Sequence, residues 1–151
     1  MQIREYTKKD QGQVKGLISG ILGREFAIED KAYRYCDLDS IDKSYGGERD
    51  AFFVLDDSGK IVGTVAVKEE SGKTAIIRRL FVDGTVRKNG YGGLLLDRAM
   101  DYCRKKGYQE VVFHAANTMK SAMNLCGTRG FKEREKVSVG NVKMIRFSME
   151  L

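Results

Sequence analysis

Hydrophobic and polar positions along the chain change period several times, and each change marks an element. Residues 2–6 predict a short strand. After Asp10, the apolar residues Val14, Leu17, Ile18, Ile21 and Leu22 recur every three or four positions, the spacing of an amphipathic helix. The stretch 23–50, GREFAIEDKAYRYCDLDSIDKSYGGERD, is polar and weakly periodic and predicts one short helix around residues 38–45 between loops. AFFVLD and KIVGTVAVKEE predict two strands joined through Asp57, Ser58 and Gly59, and IIRRLFV adds a third antiparallel member. Residues 91–106 return to helical spacing, with Leu95, Leu96, Ala99, Met100 and Cys103 on one face, three basic residues in the last turn and Gly107 as the stop. EVVFHAA is the next strand, parallel to IIRRLFV if the helix between them is a crossover. A short helix over 118–129, with Asn117 as its cap, ends at Gly130. Two tail strands then meet around Gly140 and Asn141, a dipeptide suited to a two-residue hairpin.

Composition narrows the class. At 151 residues, 42% hydrophobic and 32% charged, the chain is expected to form one soluble domain over 1–151, large enough for a core without disulfides. No apolar run approaches the ~20 residues needed to span a bilayer, and MQIREYTKKD has no signal-peptide core, so no membrane association is expected. Cys36, Cys103 and Cys126 lack metal-ligand or CxxC spacing, so no metal and a reducing cytoplasm are expected. Twenty-seven basic against 21 acidic residues give a formal charge of +6, which suits a polyanionic ligand. The basic residues are scattered and no helix-turn-helix, RNP or zinc pattern accompanies them, which argues against nucleic acid.

The candidate chemistry concentrates in residues 75–96, AIIRRLFVDGTVRKNGYGGLLL, where a strand pattern meets a glycine-rich turn and then a helix. Glycines let the backbone take positive φ and approach a ligand closely. Unpaired N–H groups at a helix start, with the positive end of the helix dipole, favour an anion by about 0.3–1 kcal/mol per charge. A dinucleotide fingerprint GxGxxG fails because position 95 is Leu95. A Walker loop ending in Gly72, Lys73 and Thr74 fails because its first glycine would fall on Val67.

The pattern that fits is (Q/R)xxGx(G/A), met by Arg87, Gly90 and Gly92. With its flanking strand and helix it resembles the acetyl-CoA loop of the GNAT superfamily of N-acetyltransferases. AMNLCGTRGF over 122–131 is similar to the family's AxxLYxxxGF, with Leu125, Gly130 and Phe131 matching, and IRRLFVD and LLDRAMDYCRKKGYQEVVF are in the same idiom. The order β, α, α, β, β, β, α, β, α, β, β extends the resemblance to nearly the full length. It implies a single-domain α/β (α+β) fold whose central sheet is mixed and mostly antiparallel, flanked by helices. That sheet would be splayed between the strand before the glycine turn and the next, parallel strand. It further implies an acetyl-CoA-dependent acyltransferase acting by direct attack of a primary amine of a small molecule, amino acid or peptide in a ternary complex. The resemblance leaves a homodimer open. A non-catalytic CoA or acyl-CoA sensor that kept the cofactor site is the alternative.

By the same resemblance, Arg87, Lys88, Asn89, Gly90, Tyr91, Gly92 and Gly93 bind the pyrophosphate. The backbones of Leu80, Phe81 and Val82 pair with the pantetheine arm, and an N–H near Leu80 polarises the thioester carbonyl. The family's general acid is the tyrosine of LYxxxGF, where this chain has Cys126. A thiol of pKa ~8.5 can serve a departing thiolate, yet Cys126 also lies i+4 from Ala122 and i+7 from Met119, on a stripe that would pack in the core. The commonest position for a base holds Ile76, Ile77, Arg78 and Arg79, leaving Glu69, Glu70, Asp37 and Asp39, or a chain of waters, to serve. His114, the only histidine, sits on the strand flanking the arm and is either a base or a hydrogen-bonded strand residue. Strand alternation puts Arg78 and Arg79 on opposite faces. If Arg78 is the one toward the cleft, it would meet a carboxylate on the acceptor. Tyr33, Tyr35, Tyr45 and Asn141 add no assignment.

Overall fold

A computed structural model describes residues 1–26, 36–140 and 142–151 of the chain. Its elements are β1 (Gln2–Glu5), α1 (Gln11–Ile21), α2 (Ile41–Ser44), β2 (Ala51–Asp57), β3 (Lys60–Glu69), β4 (Thr74–Val82), α3 (Tyr91–Lys105), β5 (Glu110–Ala116), α4 (Lys120–Thr128), β6 (Lys132–Val139) and β7 (Val142–Glu150). The helix expected around 38–45 is divided into a 3-10 turn, Cys36–Asp39, and α2, because Ser40 between them has an extended φ of −153°. Asn117 does not cap α4. Met119 stands at that position, and the Asn117 amide donates to the Lys143 carbonyl at 2.8 Å. Gly140 has φ +62° and Val139 pairs with Val142, as a tight hairpin requires. The expectations for Tyr33, Tyr35 and Asn141 lie outside the described residues.

The strands form one seven-stranded sheet in the order β1-β2-β3-β4-β5-β7-β6. Every neighbouring pair is antiparallel except β4 and β5, which the crossover through α3 makes parallel. Helix α3 lays Leu95, Leu96, Ala99, Met100 and Cys103 on one face of the sheet against Val65, Val67, Ala75, Ile77 and Phe113. Each fully buried Leu, Val, Ile, Met or Phe among them contributes about 1.5–3 kcal/mol. The contact is close because β3 carries Gly63 there: a Cβ at this position would stand 3.0 Å from Leu95 Cδ1 and 3.2 Å from Leu55 Cβ. On the opposite face, Val14, Ile18 and Ile21 of α1 pack with Leu22, Leu38, Ile41, Phe52, Val54 and Ala66. Among the described residues no helix is long and apolar enough to cross a membrane, and no three His, Cys, Asp or Glu side chains gather to hold a metal.

Candidate active site

The parallel pairing of β4 and β5 is short. It runs from Thr74 opposite Glu110 to Ile77 opposite Phe113 and stops. Beyond Phe113, β5 continues to pair with β7 through Ala116, while β4 continues to pair with β3 through Val82, so two paired strands part and leave a gap between their facing edges. The β4 edge bordering that gap carries backbone donors and acceptors without a β5 partner.

Within the same segment, β4 bulges. Thr64 pairs with Phe81 and Ala66 with Arg78, so Arg79 and Leu80 together lie opposite Val65, and one backbone amide has no place in the β3 ladder. Arg79 takes φ +53°, a left-handed conformation that costs a non-glycine residue about 1–2 kcal/mol. The bulge reverses the alternation of β4. Ala75 and Ile77 face the α3 core before it, Leu80 and Val82 pack against that core after it, and Phe81 joins the α1 core. The expectation that Arg78 and Arg79 point to opposite faces is therefore corrected. Arg79 is buried and bound to Asp37, while Arg78 is exposed and opposite in alternation to Ile77, so both lie toward the α1 side.

From Val82 the chain enters the glycine loop. Asp83 Oδ1 accepts from the Thr85 amide at 2.9 Å and its hydroxyl at 2.8 Å, fixing a 3-10 turn at Gly84–Val86. Arg87 Nε donates to the Val82 carbonyl at 2.9 Å, and Asn89 Nδ2 donates to the carbonyls of Val86 and Arg87 at 3.0 and 3.1 Å. Lys88 has φ +65° and Gly90 φ +80°, the latter as the residue before α3. Residues 87–90 are exposed. The Leu94 amide is bonded to the Gly90 carbonyl at 3.1 Å, so the amides of Tyr91, Gly92 and Gly93 are the ones that have no helical partner. Gly93 is buried beneath the Arg129 guanidinium, which Asp97 holds at 3.2 Å. A strand edge open to one side thus runs into a basic loop at a helix start, which brings unpaired backbone donors and positive charge together.

The profile of the acetyltransferase (GNAT) family matches residues 17–131, from α1 through the end of α4 and into the β6 approach. The chain belongs to the GNAT acetyltransferase family. An uncharacterized N-acetyltransferase of Methanocaldococcus jannaschii is 32% identical over 105 residues, covering 66% of this chain and 46% of that protein. The chain thus spans about half the length of this curated relative. An acetyltransferase from Streptococcus agalactiae has the same fold, with a TM-score of 0.88 at 21% identity over 99% of this chain and 98% of the other. An aminoglycoside 6'-N-acetyltransferase complexed with coenzyme A superposes with a TM-score of 0.76 at 13% identity, over 99% and 97% of the two chains.

Other candidate residues of this GNAT chain fall into three groups. Cys126 is fully buried in the α3 core, and burial pushes its thiol up to about 12. His114 and Glu70 are brought together by Arg146, which sequence reasoning missed. Arg146 donates to both Glu70 oxygens at 3.1 Å, and its Nη1 lies 3.1 Å from His114 Nε2. A guanidinium can only donate, so Nε2 is the unprotonated nitrogen and His114 is neutral there. His114 is an exposed residue, and partial desolvation of its ring, followed by the nearby Arg146 charge, lowers its pKa below the ordinary value. Glu69 and Asp39 lie apart from this cluster, Glu69 held by Arg49 at 2.6 Å and Asp39 paired with Lys15.

Asp37 belongs to the bulge. Arg79 Nε donates to its Oδ2 at 2.9 Å and Nη2 to its Oδ1 at 2.6 Å, and the Tyr45 hydroxyl donates to Oδ2 at 2.7 Å. Burial alone would raise the Asp37 carboxyl, but the Arg79 and Tyr45 bonds outweigh it and hold it below the ordinary carboxylate value. Arg78 is exposed, and its charge acts on Asp37, Tyr45 and His114. A groove of about 370 Å³ between β1 and α2, lined in part by Tyr6, Lys8, Asp42 and Phe52, contains none of the gap or loop residues. The candidate site is defined by the facing edges of β4 and β5 and by the loop before α3.

Proposed function

We propose that this protein is an acetyl-CoA-dependent N-acetyltransferase that moves an acetyl group to a primary amine by direct attack in a ternary complex. The observation that carries this reading is the parting of β4 from β5 after Ile77 and Phe113, with a bulge at Arg79 and Leu80 on the open edge and the glycine loop continuing from the same strand. The residues fit the group. The edges of Leu80, Phe81 and Val82 receive an extended arm as an added strand would. The free amides of Tyr91, Gly92 and Gly93 and the cations of Arg87 and Lys88 face a diphosphate with donors and opposite charge. When bound, acetyl-CoA supplies a thioester, whose acyl carbon accepts the amine and whose thiol departs. The Leu80 amide at the bulge would be the donor for the acyl oxygen, where negative charge develops.

The proton carriers suggested by the sequence are already engaged or enclosed. Arg49 binds Glu69, Arg146 binds both Glu70 and His114 Nε2, and Cys126 is sealed in the core. We assign removal of the amine proton to water, and the rate enhancement to positioning and amide polarisation. Cys126 takes the packing role. Arg78, an exposed cation on β4, supports an acceptor that carries a carboxylate, such as an amino acid or peptide end. The unpaired thiols of Cys103 and Cys126 fit work in a reducing cytoplasm.

The test is a calorimetric titration with acetyl-CoA, with ATP and NAD as controls, followed by thiol release across a panel of primary amines. Selective binding with turnover is expected. No binding to a folded sample would overturn the reading. Binding without turnover on any amine would favour the non-catalytic sensor, which the family membership does not.

A further inference from the structure

The described residues hold a buried charged cluster behind the gap edge that the activity as described does not use. Asp37, Arg79 and Tyr45 are each less than a tenth exposed, and Thr64 is fully buried. Asp37 receives Arg79 through two bonds and Tyr45 through a third. Thr64 Oγ1 donates to the Arg79 carbonyl at 2.7 Å. A buried ion pair is weak evidence for stability, because desolvating two charges opposes their attraction. Its placement says more. The cation of the pair is the very residue that holds a left-handed φ at the bulge, and such strain persists only where surrounding contacts over-determine it. The cluster grips that residue from both ends, side chain and carbonyl, and its acid comes from the segment between α1 and α2 rather than from the sheet.

We propose that Asp37 and Tyr45 act through Arg79 as positioning residues, fixing the β4 bulge so that its spare amide faces the gap. The inference rests on the acetyltransferase reading, since that amide matters for rate only if a thioester lies against it. It also links two halves of the site. Asp37 comes from the segment between α1 and α2, while Leu80 borders the gap.

The test uses the full chain with Asp37→Asn, which keeps the shape and removes the charge, and Tyr45→Phe, which removes one bond and is the variant more certain to fold. Two readouts are needed, amide hydrogen exchange at Leu80 and Phe81 in the ligand-free protein and steady-state kinetics with an amine that the wild type accepts. Faster exchange confined to the bulge is expected, with kcat down roughly 10-fold for Tyr45→Phe and about 100-fold for Asp37→Asn, and KM for acetyl-CoA changed less than about threefold. CoA affinity by calorimetry should hold, because residues 87–93 are untouched. Unchanged exchange, or unchanged kcat in a variant whose bulge has loosened, would overturn the inference while leaving the activity standing. Wild-type protein that turns over no amine would overturn the activity and the inference with it.

Discussion

Gly92 offers a separation of fold from binding that few positions allow. A Cβ placed there would stand 3.6 Å from Leu125 Cδ2 and 3.9 Å from Val82 Cγ2, ordinary van der Waals distances, and the residue lies in the first turn of α3. Gly92→Ala should therefore be neutral or stabilising by up to about 1 kcal/mol from helix propensity, a rise of roughly 2–4 °C in Tm for a chain of this size. Gly92→Glu should fold as well, because a carboxylate in a first turn is favoured by the helix dipole. It should not bind. The new charge satisfies the donors that a pyrophosphate needs, and two like charges about 4 Å apart repel by about 4 kcal/mol at an effective dielectric near 20. Allowing for screening by salt, a loss of at least about 3 kcal/mol, roughly a hundredfold or more in Kd, is expected. Thermal melts and calorimetric titration with acetyl-CoA on the three proteins decide it. A Glu variant with wild-type Tm and a Kd within about threefold of wild type would refute the assignment of the loop.

Cys126→Ala should cost about 1 kcal/mol in stability through lost core contacts and leave kcat within about twofold, and the native thiol should resist alkylation at pH 8; a large fall in kcat without a fall in Tm would return the residue to the chemistry. With no fixed base, log kcat/KM should climb with pH toward the pKa of the amine itself. His114, whose pKa is lowered by partial desolvation and the Arg146 charge, would add no inflection near 6.5, and the profile of His114→Gln should match the wild type; a limb lost in that variant would refute the water assignment. Arg78→Ala should raise KM about tenfold for carboxylate-bearing amines and leave KM for acetyl-CoA unchanged, and equal effects on neutral and anionic acceptors would refute the contact.

The elements were legible because their signals are local. The α3 stripe from Leu95 to Cys103, the Gly107 stop and the β2–β3 turn at Ser58 and Gly59 each need only a few neighbouring residues. The glycine turn before α3 was legible for the same reason, since Arg87, Gly90 and Gly92 stand out by spacing, and its binding of a phosphate chain stays a proposal. What stayed hidden depends on residues far apart in the chain. Arg146 meets His114 because β5 and β7 pair in one register, His114 opposite Arg146, and it reaches Glu70 at the start of the β3–β4 connection. Neither contact leaves a trace in the order of residues. Asp37 was visible as one carboxylate among several, and only its burial against Arg79 distinguishes it from Asp39, which stays exposed beside Lys15.

The bulge is the instructive case, because it can be argued from the sequence once one neighbour is known. With Ile77 in the α3 core, an unbroken strand would aim Arg79 and Phe81 into that core and Leu80 and Val82 away from it. An unpaired guanidinium among Leu95, Ala99 and Phe113 would be far more costly than one strained residue. Inserting one extra residue opposite Val65 removes the conflict. Leu80 and Val82 turn into the apolar core, Phe81 joins the other core, and Arg79 reaches Asp37. The pair Arg78–Arg79 before Leu80 is thus incompatible with a regular strand and compatible with a bulged one. The same substitution pattern that makes the strand irregular leaves an amide without a ladder partner at the edge where β5 has already parted. An Arg79→Val variant should favour the straight register, and loss of the positive φ at that position, read by backbone chemical shifts, would show that the charge is what selects the bulge.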